Sequence, residues 1–168
     1  CAAAHTSAPQ GGEAMAAPDD PNFDAGTMAA IMGEVGGLSD DLKDFPDVCI
    51  ANFNSKTQVV IAGPKKSVSA ASEHLKSKDY KAIALPVSAA FHTSLVGHAQ
   101  APFAKAIDDV KFSKPQIPVF SNSSGEAYKT AIKSIRETLK DHVLNSVRFT
   151  DELENIHAAG GRIFVEFG

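Results

Sequence analysis

Apolar and polar positions follow two regimes along the chain. From 26 to 33 apolar residues run almost unbroken between two glycines (Gly26-Thr-Met-Ala-Ala-Ile-Met-Gly33), which reads as a first strand, ended by Gly36-Gly37. Ser39 is placed to cap a short helix over 40–45. Two further β-type runs, 48–54 and 58–63, are separated only by Ser55-Lys-Thr57 and predict a hairpin that ends at Gly63-Pro64. Val68, Ala71 and Leu75 then recur at helical spacing, predicting a helix over 67–78 before a fourth strand over 81–87. The order is β-α-β-β-α-β, the ferredoxin-like or split βαβ pattern.

Beyond 87 the rhythm changes. Leu95, Phe103, Ala106, Ile107 and Val110 predict a helix over 95–110, and Pro115 and Pro118 mark the loop after it. A short strand over 119–122 and a turn at 123–125 follow. Ile132, Ile135, Leu139 and Val143 predict a helix over 130–144, and another over 150–159 ends at Gly160-Gly161. Residues 162–168 read as a buried-type strand. Strands alternating with helices imply a parallel sheet, but two short strands do not make one, so this half reads as incomplete. The fold class is α/β (α+β). Its parts are a flexible or degenerate Ala/Gly/Pro-rich segment at 1–22, a ferredoxin-like small subdomain at 23–87, and a second unit at 88–168.

Composition narrows the function. With 43% apolar residues in 168, the chain can bury a core. A net charge of −4, and only three arginines outside any basic run, argue against nucleic acid as a partner. Two cysteines make no disulfide framework and no C-x-x-C pair. Cys49 reads as a small buried hydrophobe, and a reducing compartment is expected. No apolar stretch approaches the ~20 residues of a membrane span, and no charged start precedes an apolar block. A cytoplasmic or plastid location is the expectation.

The segment Leu85-Pro-Val-Ser-Ala-Ala-Phe-His-Thr93 concentrates the chemistry. It places His92 between a strand and a helix, where α/β folds present reactive side chains. A histidine there can take a proton from a nucleophile and return it. A capping or packing role is equally open on the local sequence. His74, His98, His142 and His157 read as structural, since no pair has metal-ligand spacing with a carboxylate between. Asp40, Asp41 and Asp44 read as solvated helix charges, and Glu166 as paired with a neighbour.

Several motifs in order extend this reading: Ile50-Ala-Asn-Phe-Asn-Ser55 with Gln58-Val-Val-Ile-Ala-Gly63, the His92 segment, Val119-Phe-Ser-Asn-Ser-Ser-Gly125, Asn145-Ser-Val-Arg-Phe149 and Phe164-Val-Glu-Phe-Gly168. Together they resemble the malonyl-CoA:acyl-carrier-protein acyltransferase family, and within it the acyltransferase domains of polyketide and polyunsaturated fatty acid synthases. The resemblance implies an α/β-hydrolase-like large subdomain beside the ferredoxin-like one. It also implies ping-pong transfer of a malonyl group from malonyl-CoA, through a serine, to the phosphopantetheine thiol of an acyl carrier protein. No bound cofactor is implied. His92 would be the base, oriented by the backbone carbonyl of Arg148. Phe91 would leave little room for an α-methyl branch and so favour malonyl. Asn52, Asn54 and Gln58 would lie near the cleft, although turn and strand-edge hydrogen bonding explains them too. Ser146 stands where the family usually has proline, which predicts a less rigid loop.

The family's G-H-S-x-G elbow does not occur in these 168 residues. Ser88, Thr93 and Ser94 lie on no strand–turn–helix elbow and cannot replace it. A base without nucleophile and oxyanion hole transfers nothing, because these groups act as a unit. The expectation is the C-terminal part of an acyltransferase domain, inactive alone and self-associating or locally disordered over 95–168. The partners would be a carrier protein and other domains of a multienzyme synthase. The alternative is a non-catalytic ferredoxin-like module that docks a carrier protein or multienzyme partner. Lys65, Lys66, Lys76, Lys78 and Lys81 would then rim the docking face, or simply keep it soluble.

Overall fold

The computed structural model describes residues 23–166. The segment 1–22 and the last two residues of the expected final strand lie outside them. Strands β1 (Thr27–Met32), β2 (Cys49–Ser55), β3 (Gln58–Gly63) and β4 (Lys81–Ala84) form one antiparallel sheet in the order β2-β3-β1-β4. A 3-10 turn (Val35–Gly37) and α1 (Leu38–Asp41) connect β1 to β2, and α2 (Lys65–Lys76) connects β3 to β4. The β-α-β-β-α-β order is the one read from the sequence.

Burial explains the unbroken apolar runs. Ala29, Ile31, Val59 and Ile61 point to one face of the sheet and meet Val68, Ala71 and Leu75 of α2 with Leu38 and Leu42. Met28, Val60, Ala62 and Ala51 line the other face. Strands covered on both sides need no polar alternation. Burying a side chain such as Ile61 or Leu75 stabilises the fold by roughly 2–3 kcal/mol. Ser39 does not cap α1. The helix spans Leu38–Asp41 and not 40–45, starting two residues earlier with Gly37 as its N-cap, because Leu38 and Leu42 both turn into the core. Cys49 is exposed, since it opens β2, an edge strand of the sheet.

The second face is covered by the segment that carries His92. β4 stops at Ala84, short of the expected 87. Leu85 still donates to the Met28 carbonyl (3.0 Å), but Pro86 has no N–H to extend the ladder. Leu85, Val87, Phe91 and Leu95 then pack across the face, with Ala90 fully buried beneath them. The Ala90 amide donates to the Ala25 carbonyl (2.8 Å).

The remaining elements are a 3-10 segment (Ser94–Ala99), α3 (Gln100–Asp109), α4 (Ile132–Asp141) and α5 (Phe149–Ala158). The single helix expected over 95–110 is broken in two. An α-helix through this stretch would need an N–H from residue 102 to the carbonyl of residue 98, and residue 102 is proline. Arg136 of α4 donates to the Asp108 (2.9 Å) and Val110 (2.6 Å) carbonyls at the end of α3, tying the two helices together.

Two expected strands are absent among the described residues. The segment 119–122 makes one isolated bridge, Phe120 to Ala127, and 162–166 are irregular. The segment 119–122 pairs over too few residues to make a strand, through the Tyr128 amide on the Val119 carbonyl (2.8 Å) and the Ser121 amide on the Glu126 carbonyl (2.9 Å), and 162–166 have no backbone partner among the described residues. Ile163 and Val165 are 88% and 70% exposed as a result. No helix of the described residues is long and apolar enough to cross a membrane.

Gly26 is where the sheet and its cover meet most closely. Its φ is +78°, and a Cβ would fall 2.6 Å from both the Ala90 Cβ and the Gly63 carbonyl oxygen. Gly26→Ala combines left-handed strain with overpacking. It is expected to lower stability by roughly 2–4 kcal/mol in urea unfolding.

Candidate active site

Phe91 and His92 form a turn between the extended cover segment and the 3-10 helix. Thr93 shapes that turn: its buried hydroxyl donates to the Ala90 carbonyl (2.7 Å) and accepts from the Leu95 amide (3.1 Å) as an N-cap. His92 adopts φ +61°. A non-glycine residue in the left-handed region is uncommon, and such strain gathers at functional sites. Phe91 packs between two apolar clusters, one on the sheet and one around Val96 and Val143.

The His92 ring is held from one side. Its Nδ1 lies 3.0 Å from the Asn145 carbonyl oxygen and 3.3 Å from that of His142. Carbonyl oxygens only accept, so Nδ1 carries a proton, and in the neutral ring this leaves the lone pair on Nε2. Among the described residues Nε2 makes no hydrogen bond. This tautomer is the one a general base needs.

The orienting carbonyl differs from the one expected. The Arg148 carbonyl accepts from the Glu152 amide (3.0 Å) and starts α5, so it is taken up by the helix. The Arg148 side chain pairs with Asp151 (2.7 Å) and lies over the Phe53 ring. Position 145 does the orienting because α4 ends in a tight turn. The Asn145 amide bonds back to Asp141 and His142, which aims its own carbonyl outward.

That turn is anchored on the sheet. The Val147 amide donates to the Ala51 carbonyl and the Phe53 amide to the Val147 carbonyl, both at 2.8 Å, a parallel bridge opposite Asn52. The Arg148 amide donates to the Asn122 carbonyl (2.7 Å). Ser146 donates its hydroxyl to the Ile50 carbonyl (2.7 Å). The loop expected to be less rigid without proline is therefore held by a side-chain hydrogen bond instead. Asn52 thus meets the His92 site through its neighbour Val147. Asn54 and Gln58 sit near the closed end of the hairpin, where no hydrogen bond among the described residues joins them to the His92 turn.

Beside this loop, an open polar cleft of about 560 Å3 lies between the 123–126 turn and α5. Ser123, Arg148, Asp151 and Asn155 line it, and His92 does not. Among the described residues no group of three His, Cys, Asp or Glu side chains could hold a metal ion. His142, read from sequence as a structural helix residue, packs its ring 5.4 Å from that of His92. Nothing in the local sequence announces this, because the two lie fifty positions apart.

The charged rim is narrower than expected. Lys76 pairs with Glu73, and Lys78 with Asp41, whose carboxyl is held below the usual range by hydrogen bonds from Lys78 and then Tyr80. Asp41 is therefore engaged and not merely solvated. Lys65, Lys66 and Lys81 remain exposed without an ion pair among the described residues, as does Glu166.

Comparison with known proteins places this geometry. Residues 21–168 match the family described as acyl transferase domain. A polyunsaturated fatty acid synthase polypeptide from a Thraustochytrium species is 34% identical over 156 residues, 92% of this chain and 5% of that protein. The polyketide biosynthesis malonyl CoA-acyl carrier protein transacylase PksC of Bacillus subtilis is 33% identical over 85% of this chain and 51% of its own length. The crystal structure of MCAT from Streptococcus pneumoniae is similar at a TM-score of 0.81 and 31% identity, over 95% of this chain and 52% of that one. The chain spans about half the length of these last two relatives.

Removing the Ser146 hydroxyl tests the anchoring of the loop. Ser146→Ala is expected to cost about 1 kcal/mol in chemical unfolding, the worth of one neutral hydrogen bond, and Ser146→Thr to retain most of it.

Proposed function

Because the chain belongs to the acyl transferase domain family, we propose that it supplies the base and the small subdomain of a malonyl transferase. The enzyme would move a malonyl group from malonyl-CoA to the phosphopantetheine thiol of an acyl carrier protein, in fatty acid or polyketide biosynthesis. The observation that carries this reading is the His92 tautomer: Nδ1–H sits on two carbonyls and Nε2 keeps its lone pair. Nε2 would take the proton of a serine hydroxyl as that oxygen attacks the malonyl thioester, and coenzyme A would leave as the thiol. His92 would act again when the carrier thiol attacks the malonyl-serine ester.

The Asn145 carbonyl, with that of His142 behind it, fills the orienting role expected of Arg148. A carbonyl orients the ring without adding a negative charge beside it. Phe91, wedged between the two apolar clusters, would limit the acyl pocket and favour malonyl over a branched extender. Asn52, Asn54 and Gln58 would border the substrate cleft from the hairpin. No G-H-S-x-G serine is present in the 168 residues, so the chain by itself is expected to transfer nothing. Lys65, Lys66 and Lys81 offer a positive edge to an acidic carrier protein.

Intact-mass spectrometry after incubation with malonyl-CoA should show no adduct on this chain or on its His92→Ala variant. Mixing with the first half of the Bacillus subtilis transacylase, which would bring the serine, should restore malonyl transfer to a holo carrier protein. His92→Ala should then lower the rate by about 10²–10⁴-fold. A mixture that forms a complex and binds carrier protein, yet transfers nothing, would favour the non-catalytic docking module instead.

A further inference from the structure

We propose that the open edge of β4 is a docking site for an extended acidic peptide segment, which adds to the sheet as a fifth strand. The sheet has two edges, and among the described residues only the one at β2 is engaged, through Val147. At the other edge the backbone fixes which groups are free. The Leu85 amide bonds the Met28 carbonyl (3.0 Å), so in this antiparallel pair Leu85, Ile83 and Lys81 turn their N–H and C=O groups toward β1. Ala82 and Ala84 turn theirs outward, and among the described residues nothing bonds them. Ala84 is exposed, and so is the apolar side chain of Ile83 (40%). A strand edge in this state is a template for another strand.

Two rows of side chains decide what that strand should carry. Ala82 and Ala84 point to the α2 side and, with Ser69 and Ser72, line a groove of about 180 Å3. Lys65 and Lys76 stand at its ends, because positions 65, 69, 72 and 76 share one face of α2. Glu73 also lines the groove but is paired with Lys76 (2.8 Å), and Lys65 has no ion pair among the described residues. The rim is therefore net positive in a chain of net charge −4. On the opposite side of the sheet, Ile83 presents an apolar surface. An added strand meets lysines with one set of alternate side chains and isoleucine with the other, which calls for acidic and apolar residues in alternation. A second copy of this chain is disfavoured, because β4 against β4 brings Lys81 and the groove lysines of both copies together. His92 takes no part in this site, which stands whether or not the chain transfers malonyl groups.

The test is amide hydrogen exchange read by NMR on the whole chain, with a synthetic octapeptide of alternating valine and glutamate as the probe. With the peptide at about ten times its Kd, the Ala82 and Ala84 amides should exchange about tenfold more slowly. The Ile83 amide, already bonded to β1, should change little. Ala84→Pro removes an outward N–H that β1 does not use, and should weaken binding by about two- to tenfold. Lys65→Glu leaves the strand untouched and should weaken it by about two- to fivefold. If Ala84→Pro fails to fold, Lys65→Glu carries the test, and unchanged binding in that variant would overturn the proposal. So would no binding of the alternating peptide at millimolar concentration, or equal protection by a peptide of the same composition with its valines and glutamates in two blocks. Ala82 and Ala84 amides already protected in a dimer would overturn it in favour of a second copy. Protection by an acyl carrier protein and not by the peptide would overturn it in favour of carrier docking.

Discussion

Two backbone hydrogen bonds, from the Val147 amide to Ala51 and from the Phe53 amide to Val147, hold this structure's working parts in register. β2 is an edge strand, and an edge strand leaves donors and acceptors unpaired. Val147 satisfies two of them. In doing so it fixes the loop between α4 and α5 against the sheet, and the Asn145 carbonyl is presented to His92 two residues away. The Ser146 hydroxyl on the Ile50 carbonyl and Thr150 on the Phe53 carbonyl (3.1 Å) add to the same seam. A single contact thereby protects an edge and positions the His92 ring.

The other half of the geometry comes from the sheet's second face. The His92 segment lies flat on it because the residues in contact are small: Ala90, Ala51, Ala62 and Gly26. Close approach lets the chain turn sharply at Phe91 and His92 while Ala90 stays buried. The histidine's left-handed backbone is held from both sides, by Thr93 hydrogen bonds after it and by packing before it. Elements remote in sequence meet at one imidazole: the sheet cover carries it, the end of α4 orients it, and the 121–125 turn braces the end of α4.

Much of the fold was legible along the chain. The hairpin, the α2 stripe of Val68, Ala71 and Leu75, and the β-α-β-β-α-β order all follow from periodicity and from Gly63-Pro64, which act over a few residues. Misreadings arose wherever a partner decided the outcome. Residues 119–122 and 162–166 have β-type sequences, yet the first finds a partner over one short bridge and the second finds none among the described residues. Leu38 overrode Ser39 at the start of α1 because burial of a leucine outweighs one cap. Cys49 is apolar in context but begins an edge.

For the site, the segment around His92 stood out in the sequence, since a histidine next to small residues at a strand end is a local pattern. Its chemistry by itself sets what the ring can do, a proton taken and returned near neutral pH. Which nitrogen holds the proton, which carbonyl holds the ring, and that a second histidine stands beside it were decided only by tertiary structure. Asn145 and His142 lie about fifty residues from His92, and hydrogen bonds over that separation depend on how helix ends and sheet edges meet, which no local periodicity encodes.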